Sequence, residues 1–170
     1  MMSTSSNLLW GALALGLVTG MRSMLAPALT SRALAARDDI DETDEPARTL
    51  ASHRAQLFLM PMAAAELLGD KMPFAPDRTI LPSMMFRALS GGVTAAALAG
   101  ARREPVWLPA LIGACAALVA SEIGLKLRKP SQGDTLTNAA LGLAEDGVAL
   151  AIGYSGLRRA LGEPATLVRG

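Results

Sequence analysis

Histidine, cysteine and aromatic side chains are nearly missing from this chain: it holds one His and one Cys, and aromatics are 4% of its residues. The lone histidine, His53, stands beside Arg54 with no second His or Cys nearby, so a metal site is not expected and His53 should lie at a surface. A single imidazole leaves no Ser–His–Asp assembly to argue, and HExxH, GxSxG, Walker A and CxxC patterns are missing. The sequence therefore names no catalytic residue, no cofactor and no metal, and an enzyme is the least favoured class. Cys115 cannot form an internal disulfide and, set in an apolar run, is expected to be a buried thiol. The net charge of +1 comes without a basic stripe or aromatic platforms, which argues against nucleic acid as a partner. Met1 to Asn7 lacks the Lys or Arg that opens a signal peptide, so the first apolar segment is expected to be a retained helix.

Charge is scarce as well, at 18% of residues, against roughly 25% in a soluble domain. The segments 1–21, 88–101 and 105–121 are free of Asp, Glu, Lys and Arg and are rich in Ala, Leu, Gly and Val. The polar face that a surface helix shows every three or four residues is not there. Five candidate spans follow: Asn7 to Leu29, His53 to Leu68, Met84 to Gly100, Val106 to Leu125, and Leu136 to Leu157. Several fall short of the ~20 apolar residues that cross a bilayer comfortably, so an even span count is also compatible. The fold class expected is an all-α, multi-pass transmembrane helical bundle of about five helices in the inner (plasma) membrane. It forms a single domain, with an acidic loop at about 36–50. The lipid bilayer is then the first partner, and a homo-oligomer the second.

Small residues repeat at helical spacing. Gly16 and Gly20 form a GxxxG pair, Gly92, Ala96 and Gly100 recur every fourth residue, and so do Gly113, Ala117 and Ser121. Residues four apart share a face, so each run offers a groove for a neighbouring helix. A two-helix internal repeat is hinted at by Glu66, Gly69, Lys71 and Pro73 against Glu122, Gly124, Lys126 and Pro130.

The sharpest signal is charge inside the spans. Arg22 lies late in the first, Glu66, Asp70 and Lys71 close the second, Arg87 opens the third, and Glu145-Asp146 sits midway along the fifth. An ionisable group at the centre of a span costs ~2.5–3.5 kcal/mol on insertion scales, so such groups face the bundle interior or water. Arg22 and Arg87 are the natural partners of Glu66, Asp70 and Glu145-Asp146. Two readings stay open: a cation or proton site, or a salt-bridge cluster that only fixes helix packing.

At these positions the chain resembles a family of bacterial membrane proteins catalogued as domain of unknown function 4126. Gly20-Met21-Arg22-Ser23-Met24 with Pro27 is similar to its Gly-Leu-Arg-Ser-Met opening and proline, with Met21 in place of Leu. Glu66-Leu67-Leu68-Gly69-Asp70-Lys71-Met72-Pro73 and Pro76-Asp77-Arg78-Thr79 are similar to its Glu-Leu-x-Gly-Asp-Lys-x-Pro and Pro-Ser-Arg-Thr segments, with Asp77 in place of Ser. Arg87-Ala88-Leu89-Ser90-Gly91 and Glu145-Asp146 complete the resemblance, which covers nearly the whole chain apart from the acidic stretch Asp38 to Glu45. It implies a multi-pass membrane protein and supplies no substrate. The function expected is a small transporter or channel-like protein for a cation or proton; the alternative is a structural or scaffolding membrane protein. With five spans, Arg32, Arg37, Arg48, Arg102, Arg103, Arg158, Arg159 and Arg169 lie on one side and Lys71, Arg78, Lys126, Arg128 and Lys129 on the other. This places the N-terminus outside and the C-terminus inside.

Overall fold

Runs rich in Ala and Leu with few β-branched residues favour helix, and helix is what forms. The structure, a computed structural model, describes residues 4–69, 81–128 and 135–162. The order is α1 (Thr4–Met21), α2 (Leu25–Ala35), a 3-10 turn (Ile40–Glu42), α3 (Ala47–Ala51), α4 (His53–Gly69), α5 (Leu81–Gly100), α6 (Trp107–Arg128) and α7 (Thr135–Leu161), with no strand among the described residues. The chain is all-α.

The first expected span is not one helix. The chain leaves helical geometry at Arg22, and α2 starts again at Leu25 and runs back beside α1. Met24 and Ala28 at the start of α2 cluster with Ala63 of α4, whereas Leu34 near its end packs with Ala97, Ala101 and Leu161. Leu161 lies at the end of α7, and Gly11 of α1 faces Ala160 and Gly156 there. So α1 and α2 form a hairpin that enters and leaves at one end of the bundle. The start of α1 and the end of α7 share that end. This corrects the five-span arrangement, which put them at opposite ends. At 1.5 Å per residue, α5, α6 and α7 run roughly 9–16 Å beyond the level of the turn, so the turn is deep inside.

Glycine sets the helix spacing. A Cβ added at Gly16 would lie 2.5 Å from the Gly113 carbonyl oxygen, and one at Gly113 would lie 2.6 Å from Ala95 Cβ. One at Gly20 would run into the Ala117 carbonyl. Helix α6 is therefore pressed between α1 and α5 at near backbone contact, and Ala117 is fully buried beside Gly20. In α5 it is Gly91, not Gly92, that meets Gly113: a Cβ at Gly91 would lie 2.7 Å from the Gly113 oxygen, and one at Gly92 would be 3.3 Å from the Ala110 oxygen. Gly92 lies at the flank of the contact, and Ala96 is buried. The two glutamates that head the suspected repeat end in unlike places: Glu66 is half-buried at the turn and Glu122 is exposed.

Small and polar groups share the interior with a core of leucines such as Leu8, Leu15, Leu34 and Leu98, and many other large apolar side chains point outward. Leu57, Phe58, Met85, Phe86, Leu89, Leu111, Val119 and Tyr154 are all exposed, while Ala12, Thr19, Arg22, Thr94, Ala97 and Ala117 are buried. Cys115 is exposed too, against expectation, because Gly113 and Ala117 turn the opposite face of α6 inward. His53 is exposed at the start of α4. Among the described residues one helix, α6, is long and apolar enough to cross a membrane, over Trp107–Gly124 with a mean hydropathy of 1.6.

The acidic stretch folds against the same end as the start of α1. The Asp44 N–H donates to the Gly100 carbonyl at 3.1 Å, and Arg103 reaches Glu42 at 2.8 Å. The Arg37 guanidinium hydrogen-bonds the Asp39 carboxylate and holds it below its ordinary range. Glu45 accepts from the Thr49 hydroxyl and N–H, which lowers it likewise and stabilises the first turn of α3.

The backbone contact at Gly113 gives a sharp test. Gly113→Val should cost roughly 1–3 kcal/mol or more, since a closely packed crossing cannot absorb extra methyl groups, and the milder Gly92→Ala should melt near the parent. Thermal melting of the purified protein checks this, and an unchanged midpoint for Gly113→Val would rule out the crossing.

Candidate functional site around the interrupted helix

Ending one helix and starting another inside a bundle exposes carbonyls at one end and N–H groups at the other, and none has an intrahelical partner. The turn at Arg22, Ser23 and Met24 raises that problem in a buried place, and side chains from three other helices answer it. The Glu66 carboxylate, from α4, accepts from the Ser23 N–H (2.8 Å), the Ser23 hydroxyl (2.6 Å) and the Met24 N–H (2.7 Å). Met24 caps α2 without a side-chain bond of its own, so Glu66 supplies the cap from another helix, at the end where the dipole favours an anion. Pro27, in the first turn of α2, has no N–H to satisfy.

At the opposite end of the break Arg87, from α5, is 5% exposed and donates through Nη1 to the Gly20 carbonyl at 2.6 Å. A cation at the C-terminus of α1 is the favourable sign for that dipole. The Ser121 hydroxyl, from α6, donates to the Gly20 carbonyl (3.3 Å) and to its own helix at Ala117 (2.7 Å). The Ser90 hydroxyl, from α5, donates to the Ser23 carbonyl at 2.8 Å.

The remaining contact is ionic. Arg22, 1% exposed, donates through Nε to Asp146 Oδ1 on α7 at 2.7 Å. Asp146 itself is 9% exposed, and Glu145 beside it is half-buried. Of the residues marked out by sequence, the structure brings Arg22, Glu66, Arg87 and Asp146 to one turn. Asp70 and Lys71 lie outside the described residues. Glu66 holds backbone and serine groups of the turn, and at the turn Arg87 also reaches backbone oxygens. Sequence reasoning missed Ser23, Ser90 and Ser121. Their signal is faint, since a serine among small residues reads as helix packing.

The ionic contact can be weighed by mutation. Asp146→Asn leaves Arg22 charged and buried, and breaking a buried pair in this way costs about 3–5 kcal/mol. The double variant Arg22→Met/Asp146→Leu removes both charges and should recover part of that loss. Thermal or denaturant melting of both variants checks this, and a single variant as stable as the parent would count against a buried pair.

The chain matches no curated protein and no solved structure. A family model described as Domain of unknown function (DUF4126) matches residues 9–158, from early α1 to almost the end of α7, and the chain belongs to that family.

Proposed function

We propose that this chain is a multi-pass membrane protein that moves a small cation or proton, and that the interrupted helix is where the ion is handled. The observation that carries the reading is the convergence of ionisable side chains on non-helical backbone deep in the bundle. Discontinuous helices of this kind build the ion sites of many transporters, because unwound backbone and half-helix ends offer ready charge complements. Ionisable groups inside a span mark ion or proton pathways more often than packing alone would require.

The membrane setting is supported by the apolar character of the outer surface. Exposed leucines, phenylalanines and methionines, with alanine, glycine and threonine at the helix crossings inside, suit a lipid surround, where small residues let helices approach. The mean hydropathy of α5 and α7 is lowered by residues such as Arg87, Thr94 and Asp146, all of which are buried. Four helices, α4 to α7, would cross, with the α1–α2 hairpin re-entrant; non-helical backbone at such depth is tolerated where protein covers it.

A second reading has its own observation. The backbone groups of the turn are hydrogen-bonded by side chains from neighbouring helices, as a scaffold with locked charges would need. Flux in proteoliposomes separates the two. The parent should carry protons or one of a panel of cations above empty vesicles. Glu145→Gln, at a half-buried position next to Asp146, should lose most of that flux while the protein still folds as a helical bundle. A parent that passes no ion leaves the scaffold reading standing.

Topology gives an independent check. Arg32, Arg37, Arg48, Arg102, Arg103, Arg158 and Arg159 gather toward the end shared by the start of α1 and the end of α7. By the positive-inside rule this end faces the cytoplasm. Reporters fused before α1 and after α7 should both be active in the cytoplasm, and reporters of opposite location would overturn the re-entrant hairpin.

A further inference from the structure

Helix α4 is held more weakly than the helices beside it, and it carries the anionic cap of the turn. Among the described residues of α4 only Ala63 is buried, and Leu57, Phe58, Met60, Met62 and Leu68 are exposed. Its grip on the bundle runs along one stripe, Leu59, Ala63 and Glu66, at the spacing of a single helix face. The hold is uneven along that stripe. Leu59 packs against two buried clusters, one with Leu34, Leu50 and Ala97 and one with Met24, Ala28 and Ala63. Beyond Leu59, Ala63 is the buried apolar contact, and Glu66 makes the polar one through three hydrogen bonds accepted from Ser23 and Met24. Pro61 lies between the two halves and is exposed. It has no N–H for the Leu57 carbonyl, so the helix is softest just before its latch.

We propose that the end of α4, from Met62 onward, is a gate over the turn, hinged at Pro61 and latched by Glu66. Segments with few buried apolar contacts open at low free energy while better-packed neighbours stay closed, and a hinge needs only a few residues that absorb the backbone change. When the end of α4 swings away, the Glu66 carboxylate leaves the Ser23 and Met24 N–H groups, and the unwound backbone is uncovered. When it closes, it returns a charge of the sign that the start of α2 favours. Helices α5 and α6 lack this freedom, because Gly91 and Gly113 bring them to near backbone contact. Access to the turn is therefore set at α4. The inference rests on the turn as the ion site proposed above, and it names the element that controls entry to that site.

Double electron–electron resonance between spin labels on the full chain tests it. The labelled pair is Ala65→Cys on α4 with Val148→Cys on α7, both at exposed positions, in a Cys115→Ala background. The parent should show one main distance and a minor longer one. Glutamine keeps one acceptor oxygen where glutamate has two, so Glu66→Gln should raise the longer-distance population about fivefold, the worth of one hydrogen bond. Pro61→Ala, at an exposed position, restores the missing N–H and should deplete that population while keeping the helix. A single narrow distance in the parent that neither variant changes overturns the gate. A second pair, Leu57→Cys with Val148→Cys, should keep one distance throughout. A Leu57 label that moves with the Ala65 label puts the pivot before Pro61 and overturns the hinge. A parent that carries no ion in proteoliposomes defeats the transport reading alone, because the distances are read without flux.

Discussion

Buried peptide groups must be hydrogen-bonded, and the architecture follows from meeting that demand at one turn. Where α1 stops, the carbonyls of Thr19 and Gly20 face the bundle; where α2 starts, the N–H groups of Ser23 and Met24 do. Water is the usual partner for such groups at a helix end, and here side chains from α4, α5 and α6 take its place, while Asp146 of α7 meets the Arg22 side chain. An unsatisfied buried group costs roughly 1–3 kcal/mol, and more when charged groups are involved. The turn therefore holds α4, α5, α6 and α7 in register as firmly as they hold it. Sign matters as much as number: the carboxylate of Glu66 meets the N-terminal end of α2 and the guanidinium of Arg87 the C-terminal end of α1, so each helix dipole meets its complement.

Close packing makes this convergence reachable. Ser121 reaches the Gly20 carbonyl because neither Gly20 nor Ala117 keeps the helices apart, and Gly113 lets α6 touch α1 and α5 together. Small residues thus do two things: they bring dispersion contacts to the crossing, and they bring short hydroxyl side chains within reach of a neighbouring backbone.

Much of the helical layout was legible in the sequence. The ends of α4 to α7 fall within a few residues of where charge and proline set them, since the polar turns at Arg102-Arg103 and beyond Lys126 punctuate long apolar runs. The hairpin at Arg22 was not legible, because apolar and small residues continue on both sides and Arg22-Ser23-Met24 itself holds no glycine. Pro27, a start signal in the first turn of a helix, was the cue in plain view. The charged residues were legible as a group, whereas their partners were not: a carboxylate in a span points first to a basic side chain, and only the fold shows that the free N–H groups of a broken helix compete for it. The acidic stretch was legible as polar but not as docked, since its hold on the bundle comes through Asp44 backbone and Glu42 contacts that composition does not carry.

The pairing of Arg22 with Asp146 spans 124 residues of chain. Translation delivers the arginine well before its counter-ion. Until α7 emerges from the ribosome, the hairpin has no Asp146 to meet, so its final seating waits for that helix. A segment made before α4 to α7 thus settles only once they are in place, and the closing of the bundle doubles as a check that α7 has arrived.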